Sequence, residues 1–335
     1  MPELRFNVLT QEWVIMATER AKRPMEFAQS IPIYQLPPYE PKCPFCPGNE
    51  SLTSEEVERL EGPVGWETRV VKNKYPALDE NAQPTVSGDF LQTAINGFGR
   101  HEVIIDTPRH DRTITMLGLE AVEKIVRTYR SRYRAVSQDS RVRHIIIFKN
   151  NGISAGSSLI HPHSQLIATP LVSNQIDSRT RVTRTYYEEH GRCLMCDMLE
   201  RELEQQKRIV YENAHFVCFL PYAALSSFHT WIFPKRHAPA FGDVSDDEIP
   251  ALAEILSYIL RAQEKLLGRP DYNFVFRSAP VGCDHRHYHW YVSIVPRLSK
   301  TAGFEIGSNI YINPSLPELN AMELRNVVDV LRGHV

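Results

Sequence analysis

The sequence predicts an α+β fold of two tandem domains, each an antiparallel sheet with a packed helix, related by internal duplication. Three observations predict it. One pattern is written twice: Cys43-Pro-Phe-Cys46, His110 and His161-Pro-His163-Ser-Gln165, then Cys193-Leu-Met-Cys196, His237 and His287-Tyr-His289-Trp. The lone His precedes the pair by 51 residues in the first copy and by 50 in the second. Each pair starts nine residues before a proline, Pro170 or Pro296. In each half, finally, a helical period follows the lone His, and two apolar strands follow the helix.

Leu119, Val122, Val126, Tyr129, Tyr133 and Val136 recur every three or four residues, which predicts an amphipathic helix. Ile249, Leu252, Leu256, Ile259 and Leu266 repeat that period in the second half. Ser245 and Glu248 resemble a capping box ahead of it, although Pro250 leaves the helix start open. Strands are expected over Val142–Phe148 and Tyr272–Arg277, and again over Leu166–Thr169 and Tyr291–Val295. A helix, strand, loop, strand order needs no parallel crossover between its last two strands, so the sheets are read as antiparallel. The polar stretch from Leu171 to His190 lacks a clear period and is taken as the boundary, giving domains 1–172 and 173–335. Asp79 to Asp89 reads as a loop.

At 335 residues the chain can hold two domains of ordinary size, and 42% apolar with 23% charged residues fits a soluble globular protein. A net charge of −2 gives no argument for nucleic acid or an anionic membrane as partner. No apolar stretch follows a basic start at the N-terminus, so no signal peptide is expected, and no run is long enough to span a bilayer. Four of six cysteines fall in Cys-x-x-Cys pairs, with Cys218 and Cys283 left over. Metal-bound thiolates in a reducing, cytoplasmic setting fit better than a disulfide framework.

Zinc prefers thiolate and imidazole in a tetrahedral shell, and a two-residue gap lets two cysteines bind one ion from a single turn. Cys43, Cys46, His110 and His161 are the first expected zinc site, set against a redox pair or buried free thiols. Cys193, Cys196 and His237 are the second. Its fourth ligand is assigned to His287 by symmetry with His161, with His289 as the alternative. His163 and His161 should share a strand face. One can hold the metal while the other faces a cleft.

Before them runs Asn150-Asn-Gly152-Ile-Ser154-Ala-Gly156-Ser-Ser158, whose small residues permit close backbone approach and whose amides and hydroxyls can donate to phosphate. A neutral imidazole beside such a cradle can attack phosphorus, and Gln165 can donate to a phosphoryl oxygen as charge develops. The competing reading makes His163 a packing residue. The P-loop and dinucleotide fingerprints are absent.

The chain resembles the galactose-1-phosphate uridylyltransferase family, the nucleotidyl-transferring branch of the histidine-triad superfamily. The resemblance runs over nearly the whole chain. It is carried by Leu9-Thr-Gln-Glu-Trp13, Glu19-Arg20-Ala-Lys-Arg23-Pro24, Cys43-Pro-Phe-Cys46, Arg69–Leu78 and Gly99-Arg-His-Glu-Val103. His161-Pro-His163-Ser-Gln165 and the tail Gly303-Phe304-Glu305-Ile-Gly307 complete it. It implies two histidine-triad-like domains, the first catalytic. It also implies a two-step exchange: His163 takes the nucleotide from a nucleoside diphosphate sugar, and a second sugar 1-phosphate takes it from His163. The carbonyl of His161 would fix the tautomer of His163. By the same resemblance Asn150, Gly156, Ser158 and Gln165 would surround the phosphates and Asn73 would sit in a nucleotide-binding loop. Phe304 would lie in the C-terminal substrate signature, and Arg20 and Arg23 would reach the neighbouring subunit of a homodimer.

Two departures stand out. Cys193 and Cys196 replace the iron-type site of some members, as in the subgroup resembling ADP-glucose phosphorylases, and no basic residue stands just before Phe304. The expected activity is UMP exchange between UDP-glucose and galactose 1-phosphate. ADP-glucose phosphorolysis by the same histidine is the near alternative, and a non-catalytic, zinc-stabilised nucleotide-binding module is the distant one.

Overall fold

Two runs of alternating apolar strands, each around one amphipathic helix, build a single sheet in the computed structural model of the chain, which describes residues 2–22, 36–282 and 285–333. The first half contributes β1 (Glu3–Asn7), β2 (Glu12–Met16), β3 (Glu56–Gly62), β4 (Gly65–Lys72) and a short hairpin of β5 (Val86–Ser87) and β6 (Ala94–Ile95). It continues with β7 (Arg100–Ile105), α1 (Leu119–Ser137), β8 (His144–Asn151) and β9 (His163–Thr169). The second half contributes α2 (Asn174–His190), α3 (Leu194–Gln205), β10 (Ile209–Glu212), β11 (Phe216–Phe219) and β12 (Thr230–Pro234). It ends with α4 (Glu248–Leu267), β13 (Tyr272–Arg277), β14 (Tyr291–Pro296), α5 (Gly303–Ser308), β15 (Tyr311–Asn313) and α6 (Pro317–Arg332).

Ten strands form one sheet in the order β10-β11-β12-β14-β13-β8-β9-β7-β4-β3. Every pairing in it is antiparallel, as expected. The seam between the halves is β8 against β13, where Val275 faces Phe148 and Asn273 faces Asn150. A separate sheet of β1, β2 and β15 ties the chain's start to its end, with β15 parallel to β2.

The predicted helices sit on one face of the large sheet. Val122, Ile125, Val126 and Tyr129 of α1 and Leu252, Ile255, Leu256 and Ile259 of α4 share one core with Ile145, Ile147, Leu166, Phe274 and Ile294. Each such fully buried aliphatic side chain contributes about 1.5–3 kcal/mol. The capping box at α4 is present: Glu248 N–H donates to Ser245 Oγ (3.3 Å) and Ser245 N–H to Glu248 Oε2 (2.8 Å). Pro250 falls in the first turn, where a missing N–H costs nothing.

The polar stretch after Leu171, read as the boundary, forms the helix α2. Ser173 caps α2 by accepting from Ile176 N–H. The buried face of α2 carries Arg179, Thr180 and Thr183 beside Ile176, so no apolar period advertises it. Asp79–Asp89 is a loop apart from the two residues of β5. Among the described residues no helix is long and apolar enough to cross a membrane.

Candidate active site

The two faces of the large sheet differ between the halves. In the second half the face opposite α1 and α4 is closed: Trp231, Phe233 and Tyr291 pack with Met195 and Leu199 of α3. In the first half the matching residues Ile146, Phe148, Gln165 and Ile167 are only half-buried. On this open face stands His163, the first residue of β9.

Behind His163 lie Cys43, Cys46, His110 and His161, all buried, with ligand atoms within 4.8 Å of one another. Cys43 Sγ is 3.7 Å from His161 Nδ1, and Cys46 Sγ is 3.6 Å from both His161 Nδ1 and His110 Nδ1. A tetrahedral zinc with ordinary Zn–S and Zn–N bonds places sulfur and nitrogen about 3.6 Å apart, so this donor set fits that ion. His161 Nε2–H donates to Thr107 O (2.8 Å), which leaves Nδ1 as the lone-pair nitrogen, the second-shell arrangement usual for a ligating histidine. Glu40 N–H already donates to Cys46 Sγ (3.3 Å). Burial pushes the Cys43 thiol up to about 11 and holds His161 neutral down to about 4. A divalent cation would supply the charge that turns these thiols into thiolates.

The knuckle also builds the wall of the cleft: the Phe45 ring lies 5.4 Å from that of His163. His163 Nδ1–H donates to His161 O (2.8 Å), so Nε2 keeps its lone pair. Burial pulls the pKa of His163 below the ordinary value, Lys149 adds to this, and the bond to His161 opposes it. A neutral, oriented imidazole is the form that attacks. Lys149 Nζ lies beneath, donating to His163 O (2.9 Å) and to Asp106 Oδ2 (2.5 Å). Asp106 also accepts from Ser164 Oγ (3.1 Å) and Tyr129 OH (3.2 Å). The backbone of His163 is therefore fixed by a buried, satisfied network.

The small-residue run folds back beside His163. Gly152 has φ +91°, and a Cβ there would lie 1.7 Å from Asp271 Oδ1. The N–H groups of Ala155, Gly156 and Ser157 close turns inside the run, and Ser154 N–H donates to Asp271 Oδ2 (2.7 Å). Most backbone amides expected to face phosphate are thus already engaged. The donors left are side chains, Asn150 Nδ2 and Ser158, the latter making no hydrogen bond among the described residues.

Gln165 Oε1 lies 2.8 Å from His101 Nε2, and Asn73 Nδ2 lies 3.0 Å from the same atom. Asn73 and His101 help line a cavity of about 440 Å³ with Lys72, Pro76, Leu78 and Glu80. His163, Gln165, Asn150, Gly156, Ser158 and Asn73 thus lie on adjoining elements. Arg20, exposed in the turn after β2, and Phe304, half-exposed on α5, flank the small sheet instead. Arg23 lies outside the described residues.

In the second half Cys193, Cys196 and His237 cluster within 4.8 Å. His237 Nδ1 is 3.1 Å and His289 Nδ1 3.3 Å from Cys196 Sγ. The assignment to His287 is corrected: its carbonyl accepts from Cys193 Sγ (3.3 Å), and its ring faces His285. The loop from β13 to β14 holds 13 residues, 278–290, against 11, 152–162, from β8 to β9. β8 runs one position further than β13, so between matched strand positions, Phe148 to Gln165 and Val275 to Ser293, the second connection is one residue longer. The second His of its pair therefore stands where the first stands at the other site. The row Gln165–Phe148–Val275–Ser293 across the seam gives the same alignment, pairing Gln165 with Ser293 and His163 with Tyr291.

Several site residues were not assigned from sequence: His101, Lys149, Asp106, Phe45 and Asn273. Only Lys149 carried a signal, a lone charge at a buried position of an apolar strand.

The sequence pattern of the family described as galactose-1-phosphate uridyl transferase, N-terminal domain, matches residues 1–173, and that of its C-terminal domain matches residues 179–330. ADP-glucose phosphorylase of Arabidopsis thaliana is 36% identical, over 97% of this chain and 93% of that protein. Galactose-1-phosphate uridylyltransferase of Thermotoga maritima is 32% identical, over 97% and 98%. The crystal structure of the Arabidopsis thaliana ADP-glucose phosphorylase with bound ADP-glucose superposes with a TM-score of 0.84 at 34% identity, covering 97% of this chain and 99% of that one.

Proposed function

The chain belongs to the galactose-1-phosphate uridyl transferase family, and from that premise we propose that it transfers a nucleotidyl group through His163, exchanging UMP between UDP-glucose and galactose 1-phosphate. The observation that carries this reading is the 2.8 Å bond from His163 Nδ1–H to His161 O, which leaves Nε2 bare on the open face of the sheet. His163 Nε2 attacks the α-phosphorus, the N–P bond forms, and the P–O bond to the departing sugar 1-phosphate breaks. A phosphate oxygen of the second sugar 1-phosphate then attacks the same phosphorus and frees His163. Asn150, Ser158 and Gln165 donate to the phosphoryl oxygens, with Gly156 leaving them room. The cavity beside Asn73 receives the nucleoside.

Zinc is the ion we assign to Cys43, Cys46, His110 and His161; its chemistry here is structural, fixing the knuckle that carries Phe45 and the strand end that carries His163. A second ion is assigned to Cys193, Cys196, His237 and His289. Domains 1–172 and 173–335, a cytoplasmic setting and a homodimer that brings Arg20 and Arg23 to the partner's nucleotide belong to the same reading. So does Phe304 as a substrate contact.

A second reading is favoured by one observation: identity to an ADP-glucose phosphorylase is 36%, against 32% to the uridylyltransferase of Thermotoga maritima. In that reading His163 carries AMP and inorganic phosphate discharges it. Intact-protein mass after brief incubation with UDP-glucose and, separately, ADP-glucose decides. A uridylyl adduct discharged by galactose 1-phosphate is the expected result. An adenylyl adduct discharged by phosphate replaces the first reading with the second, and no adduct from either overturns both.

A further inference from the structure

A phosphoryl group offers only acceptors, whereas a carboxamide has one donating and one accepting end. Asn150 and Gln165 therefore serve the reaction only if something holds their nitrogens toward it. The hydrogen bonds fix which end points where.

Arg297 Nε can only donate, so the Asn273 atom facing it is the oxygen. Ala155 O can only accept, so the atom 2.8 Å from it is Asn273 Nδ2. That nitrogen gives its other hydrogen to Asn150 Oδ1, also at 2.8 Å. The nitrogen of Asn150 is the end left over, and it faces Gly156, where an added Cβ would lie 3.7 Å from Nδ2. The other flank follows the same logic. Ala77 N–H donates to His101 Nδ1 (3.2 Å), so the ring proton sits on Nε2 and is given to Gln165 Oε1 (2.8 Å). Asn73, whose oxygen accepts from Tyr75 N–H (2.8 Å), is then a neighbour of Nε2 and not its donor. Gln165 Nε2 is turned away from His101.

We propose that Asn273, backed by Arg297, and His101 are positioning residues that hold the Asn150 and Gln165 carboxamides nitrogen-first toward the phosphoryl group on His163. This rests on the nucleotidyl-transfer reading above. Asn273 stands on β13, so the half of the chain without the nucleophile orients one of the two amides. His101 ties the other to Ala77, in the segment beside the proposed nucleoside cavity, so that seating a nucleoside and aiming Gln165 involve the same imidazole.

The test is the rate of adduct formation on His163, read by quenched-flow mass with whichever nucleotide sugar labels the parent protein. Asn273→Asp keeps the acceptor for Arg297 but removes the donor to Asn150, whose nitrogen then turns to the new carboxylate. It also removes the donor to Ala155 O, so some loss of melting temperature accompanies it. Its rate is expected to fall about 10²-fold, the scale of one lost phosphoryl donor, with KM and zinc content held. His101→Leu should fall comparably, while His101→Gln, which keeps a donor at similar reach, should retain most of the rate. In an Asn150→Ala background Asn273→Asp should cost nothing further, and in Gln165→Ala nor should His101→Leu. Should Asn273→Asp fail to fold, Arg297→Met frees the Asn273 oxygen from the surface and carries the same expectation. Wild-type rates in Asn273→Asp or Arg297→Met, or full additive losses in the double variants, overturn the positioning roles alone. A parent protein that forms no adduct overturns them together with the transfer reading.

Discussion

The two halves of the sheet are built alike and end differently. Beside β8 the strand opens with His163, followed two residues later by Gln165. Beside β13 it opens with Tyr291, followed by Ser293. His163, itself largely buried, stands beside the half-buried side chains of Phe148 and Gln165, whereas Tyr291 is stacked on Phe233, centroids 4.9 Å apart, in the core beneath α3. Where Asn150 meets the first site, the second has Arg277, half-buried and bonded to Gln175 of α2. The difference teaches that both copies keep the sheet and a cysteine–histidine cluster, while among the described residues the face beside the first cluster stays open and the face beside the second is covered by α3. The closed copy became a support for the open one, through Asn273, Asp271 and the seam.

The largest effect that would break this comparison is on His163. His163→Ala should lower nucleotidyl exchange by at least about 10³-fold, the scale of losing a covalent nucleophile. Zinc content and circular dichroism should stay as in the parent, because His163 ligates nothing. Turnover retained in that variant would remove the asymmetry.

The metal sites come next. Cys43→Ser should lose one zinc per chain by mass spectrometry and destabilise the protein by several kcal/mol, roughly the loss of a structural ion offset by residual ligands. Cys196, less buried than Cys46, should give a smaller drop in melting temperature when changed to Ser. Equal drops would mean that both halves lean on their ions alike.

A third test uses protons. Burial, with Arg277 adding, lowers the folded pKa of His144 to about 4, and that of His229 to about 3 with Arg179 also contributing. An unfolded histidine titrates near 6.5, so as pH falls below that value the unfolded chain takes up protons that the folded chain refuses. Stability is thus full above about pH 6.5 and falls as the pH drops towards 4 for His144 and towards 3 for His229. His144 accounts for about 3 kcal/mol of that loss. Urea unfolding between pH 7.5 and 4 should show His144→Phe less acid-sensitive than the parent, and parallel profiles would count against the burial argument. The smallest expected effect is that of Tyr291→His: incubation with nucleotide sugar should still give a single adduct, since α2 and α3 cover the position. A second adduct would show that chemistry, and not access, separates the halves.

Much of this was legible in the residues. The 3.6-residue period marked α1 and α4 within a residue or two, because each buries a continuous apolar stripe. That Cys43, Cys46, His110 and His161 come together could be read, because thiolate and imidazole groups at such spacings admit few other arrangements. α2 could not be read, since its inner face carries Arg179 and two threonines in place of an apolar stripe. Counting along the chain could not choose between His287 and His289, which lie 50 and 52 residues after His237, one to either side of the 51 that separate His110 from His161; only strand pairing resets the alignment.

By itself, then, the sequence determined the main helices and strands, the repeated plan and the first cysteine–histidine cluster, since these follow from periodicity and ligand chemistry. The tertiary structure alone decided that the half-sheets join at β8 and β13, that His289 approaches Cys196, and that Asn273 and His101 meet Asn150 and Gln165. The Asn273–Asn150 bond alone joins residues 123 positions apart. Long-range approach is set by how strands register and helices pack, and hydrogen-bond polarity becomes assignable only once donors and acceptors stand within about 3 Å of each other.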